Sequence, residues 1–265
     1  LEGRPAPAAR PASSGHVAAR PTALVGREDA WARMEAAWAA GQGVVLTGDP
    51  GVGKTRLAEE FLEAHGGGLR FEGRPGDAGV PYATHARTYR QVLAALPDLV
   101  VEPWVRDELS RIVPSLGGTP GPIDSDERKL RFWDAKARLL GQAVELGVRC
   151  LVFDDVQFMD EASIEAGGYI FQQLGWGRPD APYRTIHIFR RGELTPFQQG
   201  MLHVLSTAGL VVIVELDPLG EHDVARLVDQ LGVPGGEGAA RDLARLTGGN
   251  PLLVLESARA LGEGA

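Results

Sequence analysis

The 265-residue sequence holds one cysteine, Cys150, so no disulfide can form within the chain. That usage suits a reducing compartment, and the chain is expected in the cytoplasm. No apolar run approaches the length a bilayer requires, and no charged-then-apolar segment marks a secretory start, so no membrane partner is expected. Basic residues are outnumbered, 27 Lys and Arg against 35 Asp and Glu, for a formal charge of −8. Such a balance argues against a general DNA-binding surface, and no direct nucleic-acid contact is expected of this segment. The histidines at 16, 65, 85, 187, 203 and 222 are scattered, with no pair at metal-ligand spacing, which argues against a zinc site. No Ser/His/Asp set sits in a nucleophile-elbow context, so ester or peptide hydrolysis has no support. The first residue is Leu rather than Met, which points to a piece of a longer protein or to an added segment at its start.

What is present is ordinary for a globule: 44% hydrophobic and 23% charged residues, enough to bury a sizeable core. Within it, Gly48-Asp49-Pro50-Gly51-Val52-Gly53-Lys54-Thr55 matches the phosphate-cradling pattern GxxxxGK[ST]. It lies between a strand-like run, Val44-Val45-Leu46, and a helix-like run that begins at Arg56, the context the pattern needs. Glycines let successive N–H groups turn inward around a polyphosphate, and the following helix adds its positive N-terminal end. Gly48 to Arg56 are therefore the candidate phosphate contacts. Lys54 is expected at the β and γ phosphates and Thr55 on Mg²⁺.

Five short apolar runs read as strands: Val44 to Thr47, Leu69 to Phe71, Cys150 to Phe153, Thr185 to Phe189 and Leu210 to Glu215. Helical patterns separate them, at Arg27 to Ala40, Arg56 to His65, Tyr89 to Ala95, Glu127 to Leu146, Ile164 to Leu174 and Gln198 to Thr207. The alternation predicts an α/β fold, a five-stranded parallel sheet in three layers with right-handed crossovers. Pro114 to Pro122 reads as an exposed loop. After Pro218 only helices are expected, Glu221 to Leu231 and Ala239 to Leu261. The predicted organisation is an Ala/Pro-rich linker over 1–22, a core over 23–218 and a helical lid over 219–265. Cys150 reads as a small buried hydrophobe, and Trp31 and Trp38, seven apart, as core rather than a stacking platform.

Two further groups carry chemistry. The strand Cys150 to Phe153 ends in Asp154-Asp155; one carboxylate at a strand end can hold the hydrated shell of Mg²⁺, which makes Asp154 the metal candidate beside Thr55. Asp155 would orient or deprotonate an attacking water. The strand Ile186-His187-Ile188-Phe189 ends in Arg190-Arg191, and open α/β sheets bind ligands at the carboxyl ends of their strands. Arg190 is the candidate sensor of a γ-phosphate, with Arg191 as its rival.

Taken in order, Leu24-Val25-Gly26-Arg27-Glu28, the glycine loop, Phe71-Glu72-Gly73-Arg74 with Pro81-Tyr82, Asp154-Asp155, and Gly248-Gly249-Asn250-Pro251 resemble one family. It is the ATPase module of the signal-transduction ATPases with numerous domains (STAND), a class of AAA-like P-loop NTPases. Within it the similarity is greatest to the large ATP-binding bacterial regulators of LuxR and SARP type, over about Thr22 to Leu261. The resemblance implies an ATP/ADP switch with slow Mg²⁺-dependent hydrolysis, inside a larger regulator whose flanking domains are not in this chain. It places Val25 and Gly26 near the adenine and Pro251 against the base. It also implies Lys54, Asp155 and Arg190 as the catalytic set and allows a nucleotide-dependent oligomer. Where the family often has His-Trp-Ala-Asp after the acidic pair, this chain has Gln157-Phe158-Met159-Asp160, which puts a polar role for position 157 in question. The other class to weigh is a turnover enzyme: an AAA-like motor or loader ATPase, for which Arg106, Arg111 and Arg178 are finger candidates, or a P-loop small-molecule kinase.

Overall fold

A computed structural model describes residue 21, residues 23–233 and residues 235–263. The expected linker lies outside the described residues except at residue 21. These residues form two compact units, one Arg27–Asp217 and the other combining the stretch up to Gly26 with the chain from Pro218 onward.

The larger unit is built on five strands: β1 (Gly43–Gly48), β2 (Leu69–Glu72), β3 (Cys150–Asp154), β4 (Arg184–Ile188) and β5 (Val211–Leu216). They lie in the order β2-β3-β4-β1-β5, and every neighbouring pair is parallel. All five expected strands are there, with ends displaced by a residue or so. β1 and β3 are buried at every position, which is why both read as continuous apolar runs. β2 and β5 are the edges and keep exposed polar positions.

Seven helices cover the sheet among the described residues of this unit: α1 (Glu28–Ala39), α2 (Lys54–Ala64), α3 (Ala83–Ala95), α4 (Pro103–Leu109), α5 (Asp126–Glu145), α6 (Glu161–Gln173) and α7 (Pro196–Thr207). α3 begins at Ala83 rather than at the expected Tyr89, because a distant carboxylate caps it: Asp160 accepts the N–H groups of Tyr82 and Thr84 at 2.7 and 3.0 Å. Neither propensity nor spacing within that segment could announce this. α4 was not expected either; Pro103 opens it, and its short apolar side buries Val105 and Leu109. The stretch from Pro114 to Pro122 holds one 3₁₀ turn, Pro114–Leu116, and is otherwise irregular and mostly exposed.

Helices α3 to α6 bury Tyr89, Phe132, Leu139 and Ile170 against Phe71 and Leu151 of the sheet. Lys136 is fully buried there, its ammonium 3.7 Å over the Tyr82 ring and 3.9 Å over that of Phe132. Trp31 and Trp38 pack edge-on against Phe61, at 5.1 and 5.6 Å between ring centres. Cys150 is completely buried, and burial pushes its thiol up to about 12, so it behaves as an inert hydrophobe.

The smaller unit contains α8 (Glu221–Leu231), α9 (Gly236–Thr247) and α10 (Pro251–Glu263), closed around Val224, Leu227, Leu243 and Val254. The single helical run expected from Ala239 to Leu261 is thus two helices. Gly248 and Gly249 turn to φ +59° and +77°, and a side chain on Gly249 would strike the carbonyl oxygen of Leu219. Asn250 then accepts the N–H of Leu252 at 3.1 Å and Pro251 takes the first helical position, so Gly-Asn-Pro ends one helix and starts the next.

Candidate nucleotide site

The glycine loop leaves β1 and enters α2 through three glycines at positive φ: Gly48 (150°), Gly51 (82°) and Gly53 (95°). Gly48 is required twice over, because a Cβ there would also meet the carbonyl oxygen of Leu216. Val52 is wholly buried and anchors the loop; its carbonyl accepts from Arg27 Nη2 at 2.8 Å. Asp49 and Pro50 are exposed at the rim. α2 starts without a side-chain cap, unlike α5, α6 and α7, which begin at Ser125, Asp160 and Thr195.

Lys54 is buried, and its Nζ donates to the carbonyls of Gly48 and Asp49 at 2.8 and 2.9 Å. Burial lowers the pKa of this ammonium and the Arg190 charge lowers it further, while Asp154, Asp155 and Asp49 pull it back up. The next residue, Thr55, donates its hydroxyl to Asp154 Oδ2 at 2.8 Å. Arg56 points along α2 instead, with Nε 2.7 Å from Glu60.

Asp154 closes β3 almost fully buried, and besides Thr55 it accepts from Arg70 Nη2 at 2.7 Å. Burial works against the Arg70 charge, but the Asp154 hydrogen bond and carboxylate outweigh it and raise the pKa. Asp155 stands at φ +51°, a left-handed conformation a non-glycine residue seldom takes and one that swings its carboxylate off the strand line. Its Oδ1 receives Gln157 Nε2 at 2.7 Å and lies 3.4 Å from Arg190 Nε. Gln157 is itself buried and accepts the Arg190 backbone N–H at 3.4 Å. Position 157 therefore has a polar part despite its departure from the family pattern: an amide can donate to the acidic residue as an imidazole would. The two arginines have different partners. Arg190 turns to Asp155, whereas Arg191 is drawn to Glu215 and Asp217 at 2.8 and 3.0 Å.

A family model for the AAA ATPase domain matches residues 23–177, more than half of the sequence. The chain belongs to the AAA ATPase domain family. It is an ATPase module, and nucleotide binding follows from that membership. A search of curated proteins finds no match. Among solved structures, a STAND protein with a tetratricopeptide repeat sensor from Pyrococcus horikoshii shares the fold, with a TM-score of 0.53 and 16% identity over 92% of this chain. A Walker-type ATPase of Pyrococcus abyssi aligns at a TM-score of 0.57 and 15% identity over 89% of this chain. The chain spans 31% of the first protein and 67% of the second.

In this AAA ATPase module the larger unit brings together Lys54 and Thr55 from the first turn of α2 with Asp154, Asp155 and Arg190 from the ends of β3 and β4 or just beyond them. Val25, Gly26 and Pro251 belong to the smaller unit: Val25 is buried, and a Cβ on Gly26, at φ +63°, would press on the Asp223 carboxylate. Sequence reasoning overlooked Arg27, Arg70 and Gln157 as site residues. Arg70 carried a signal, since a cation inside a short apolar strand needs a partner, and the parallel pairing of β2 with β3 places one within reach. The Gly73 motif has a similar cause: its N–H donates to the Asp154 carbonyl at 2.8 Å, and a Cβ there would strike the carbonyl of Asp155.

Proposed function

We propose that this AAA ATPase module works as an ATP/ADP switch with slow hydrolysis, the regulatory part of a larger signalling or transcriptional regulator. The observation that carries the reading is the double engagement of Asp155. A carboxylate whose one oxygen faces both the Gln157 amide and the Arg190 guanidinium is restrained, and has to give up those contacts before it can serve an attacking water. Arg190, held by that carboxylate, has to change partners to meet a γ-phosphate, which links the nucleotide's length to the state of the acidic pair. Such an arrangement favours sensing over rapid turnover.

In this reading Lys54 binds the β and γ phosphates within the cradle of Gly48 to Gly53, and Arg190 senses the terminal phosphate. Thr55 and Asp154, already 2.8 Å apart, fit an ion that keeps most of its ligands as water and phosphate oxygen, so they would hold Mg²⁺. When bound, that ion neutralises charge on the phosphates. Arg70 shares Asp154 and would have to yield part of it. The assignments of Val25, Gly26 and Pro251 to the base, a cytoplasmic location, flanking domains and a nucleotide-dependent oligomer rest on the resemblance. Among the described residues no helix is long and apolar enough to cross a membrane.

The test is the nucleotide content and turnover of protein purified without added nucleotide. ADP that co-purifies, with multiple turnover far below the ~10 per second typical of enzymes, is the expected result. Rapid multiple turnover would replace the switch with a motor, loader or kinase.

A further inference from the structure

Both oxygens of Asp154 are engaged in the folded chain. Oδ1 accepts the backbone N–H of Asp155 at 2.9 Å, while Oδ2 accepts the Thr55 hydroxyl at 2.8 Å and Arg70 Nη2 at 2.7 Å. A carboxylate oxygen has about two lone-pair sites, so Thr55 and Arg70 between them use up Oδ2. The guanidinium thus sits on the oxygen that Thr55 marks as the metal-facing one. The Asp154 side chain is only 6% exposed, and a buried carboxylate is costly to keep charged without a cation beside it. Arg70 supplies that cation when no metal ion does.

Arg70 also has a second partner within reach. From β2, opposite Val152 of β3, it directs Nη2 to Asp154 and Nη1 to Glu59 of α2, 3.5 Å away. Glu59 follows Thr55 by four residues, so both lie on one face of α2. The residue that would hold the ion and the acid nearest the guanidinium are one helical turn apart. The two ion pairs differ in kind. That with Asp154 is short and buried at the carboxylate; that with Glu59 is longer than a good hydrogen bond, and the Glu59 side chain is 44% exposed. Glu60, the next acid along α2, is held by Arg56 at 2.7 Å. Arg70 is itself partly exposed, and a long side chain in that position can shift between two carboxylates without repacking the core.

A dication beside Thr55 and a guanidinium on the same carboxylate oxygen repel each other. Thr55 can keep its bond to Asp154, because its own hydroxyl oxygen still has lone pairs for an ion; Arg70 has only donors to offer and must leave. We infer that Arg70 is a positioning residue that competes with the divalent cation for Asp154 and passes to Glu59 when the cation binds. It acts through Asp154 rather than on the nucleotide. The inference rests on the metal role proposed above for Thr55 and Asp154. Its consequence is that the cation pays for breaking a buried ion pair, so the site fills well only when nucleotide phosphates add their own charge.

The test is the affinity of the full chain for the non-hydrolysable imido analogue of ATP, measured by calorimetry with Mg²⁺ and with a chelator in its place. The ratio of the two affinities reports how strongly the cation binds, with no turnover involved. Arg70→Gln should raise that ratio at least about threefold, and Glu59→Gln, which removes the second partner from an exposed position, should lower it by a similar factor. Arg70→Lys keeps the charge and should stay nearer to the unaltered protein than Arg70→Gln does. Both shifts should shrink at high salt, as expected of partly exposed charges. Asp154→Asn serves as the reference and should bring the ratio close to one. If Asp154→Asn leaves the ratio unchanged, the metal assignment fails and the inference with it. If Asp154→Asn lowers it, but Arg70→Gln does not raise it or Glu59→Gln does not lower it, the metal assignment stands and the role of Arg70 is overturned.

Discussion

Two regions of the larger unit treat buried polar groups in opposite ways. At the ends of β1, β3 and β4, the side chains of Lys54, Thr55, Asp154, Asp155 and Arg190 all have partners, and those partners are largely one another. Beside α6 and α7, His85, Trp176 and His187 are packed among other rings, and each leaves a nitrogen unpaired among the described residues. The first region is complete as folded, so a nucleotide must exchange existing contacts for its own. The second is held by ring packing rather than by hydrogen bonds, with His187 stacked on Phe153 at 5.2 Å, so its order rests on burial. That difference separates a region that can exchange polar contacts from one that only packs.

The comparison can be broken first at the nucleotide. Asp155→Asn keeps the size and the hydrogen bond of the side chain but removes its basicity; hydrolysis should fall by roughly 10²–10⁴-fold while ATP affinity stays within about twofold. Measured single-turnover rates that do not change would remove Asp155 from the chemistry. Lys54→Ala takes away the buried charge at the centre of the loop, and ATP affinity should fall at least about 100-fold, a loss of about 2.7 kcal/mol. An undiminished affinity in a nucleotide titration would mean that the cradle is elsewhere.

The packed region is sharpened by acid. Burial holds the His187 pKa at about 4, against 6.5 for an exposed histidine. Between those values the unfolded chain carries a proton that the folded chain refuses, so stability is greatest above pH 6.5 and declines as the pH falls toward 4. The decline from His187 amounts to about 3 kcal/mol over that window, and His85 adds to it in the same direction. His187→Phe should flatten part of that slope in denaturant melts between pH 4 and 7. A slope identical to that of the unaltered protein would show that His187 titrates normally.

Much of the nucleotide site was legible because its chemistry is local. The glycines, Lys54 and Thr55 lie within eight consecutive positions, and the geometry they need is set by the backbone between Gly48 and Thr55. Asp154-Asp155 and Arg190 could be read as strand ends because both follow continuous apolar runs. Arg70 and Gln157 could not be given roles the same way: one needs the pairing of β2 with β3, and the other depends on the left-handed turn at Asp155. The early start of α3 was hidden for a like reason, since its cap comes from Asp160, far along the chain.

The sequence alone determined the alternation of strands and helices, the phosphate loop and the two strand ends that accompany it, because each rests on backbone preference and short-range spacing. Only the tertiary structure decided that Arg190 rather than Arg191 meets Asp155, that Arg70 shares Asp154, and that His187 stacks on Phe153. Those outcomes depend on which strands lie side by side and which helix lies over them, and contacts across such distances leave no periodic trace in a chain.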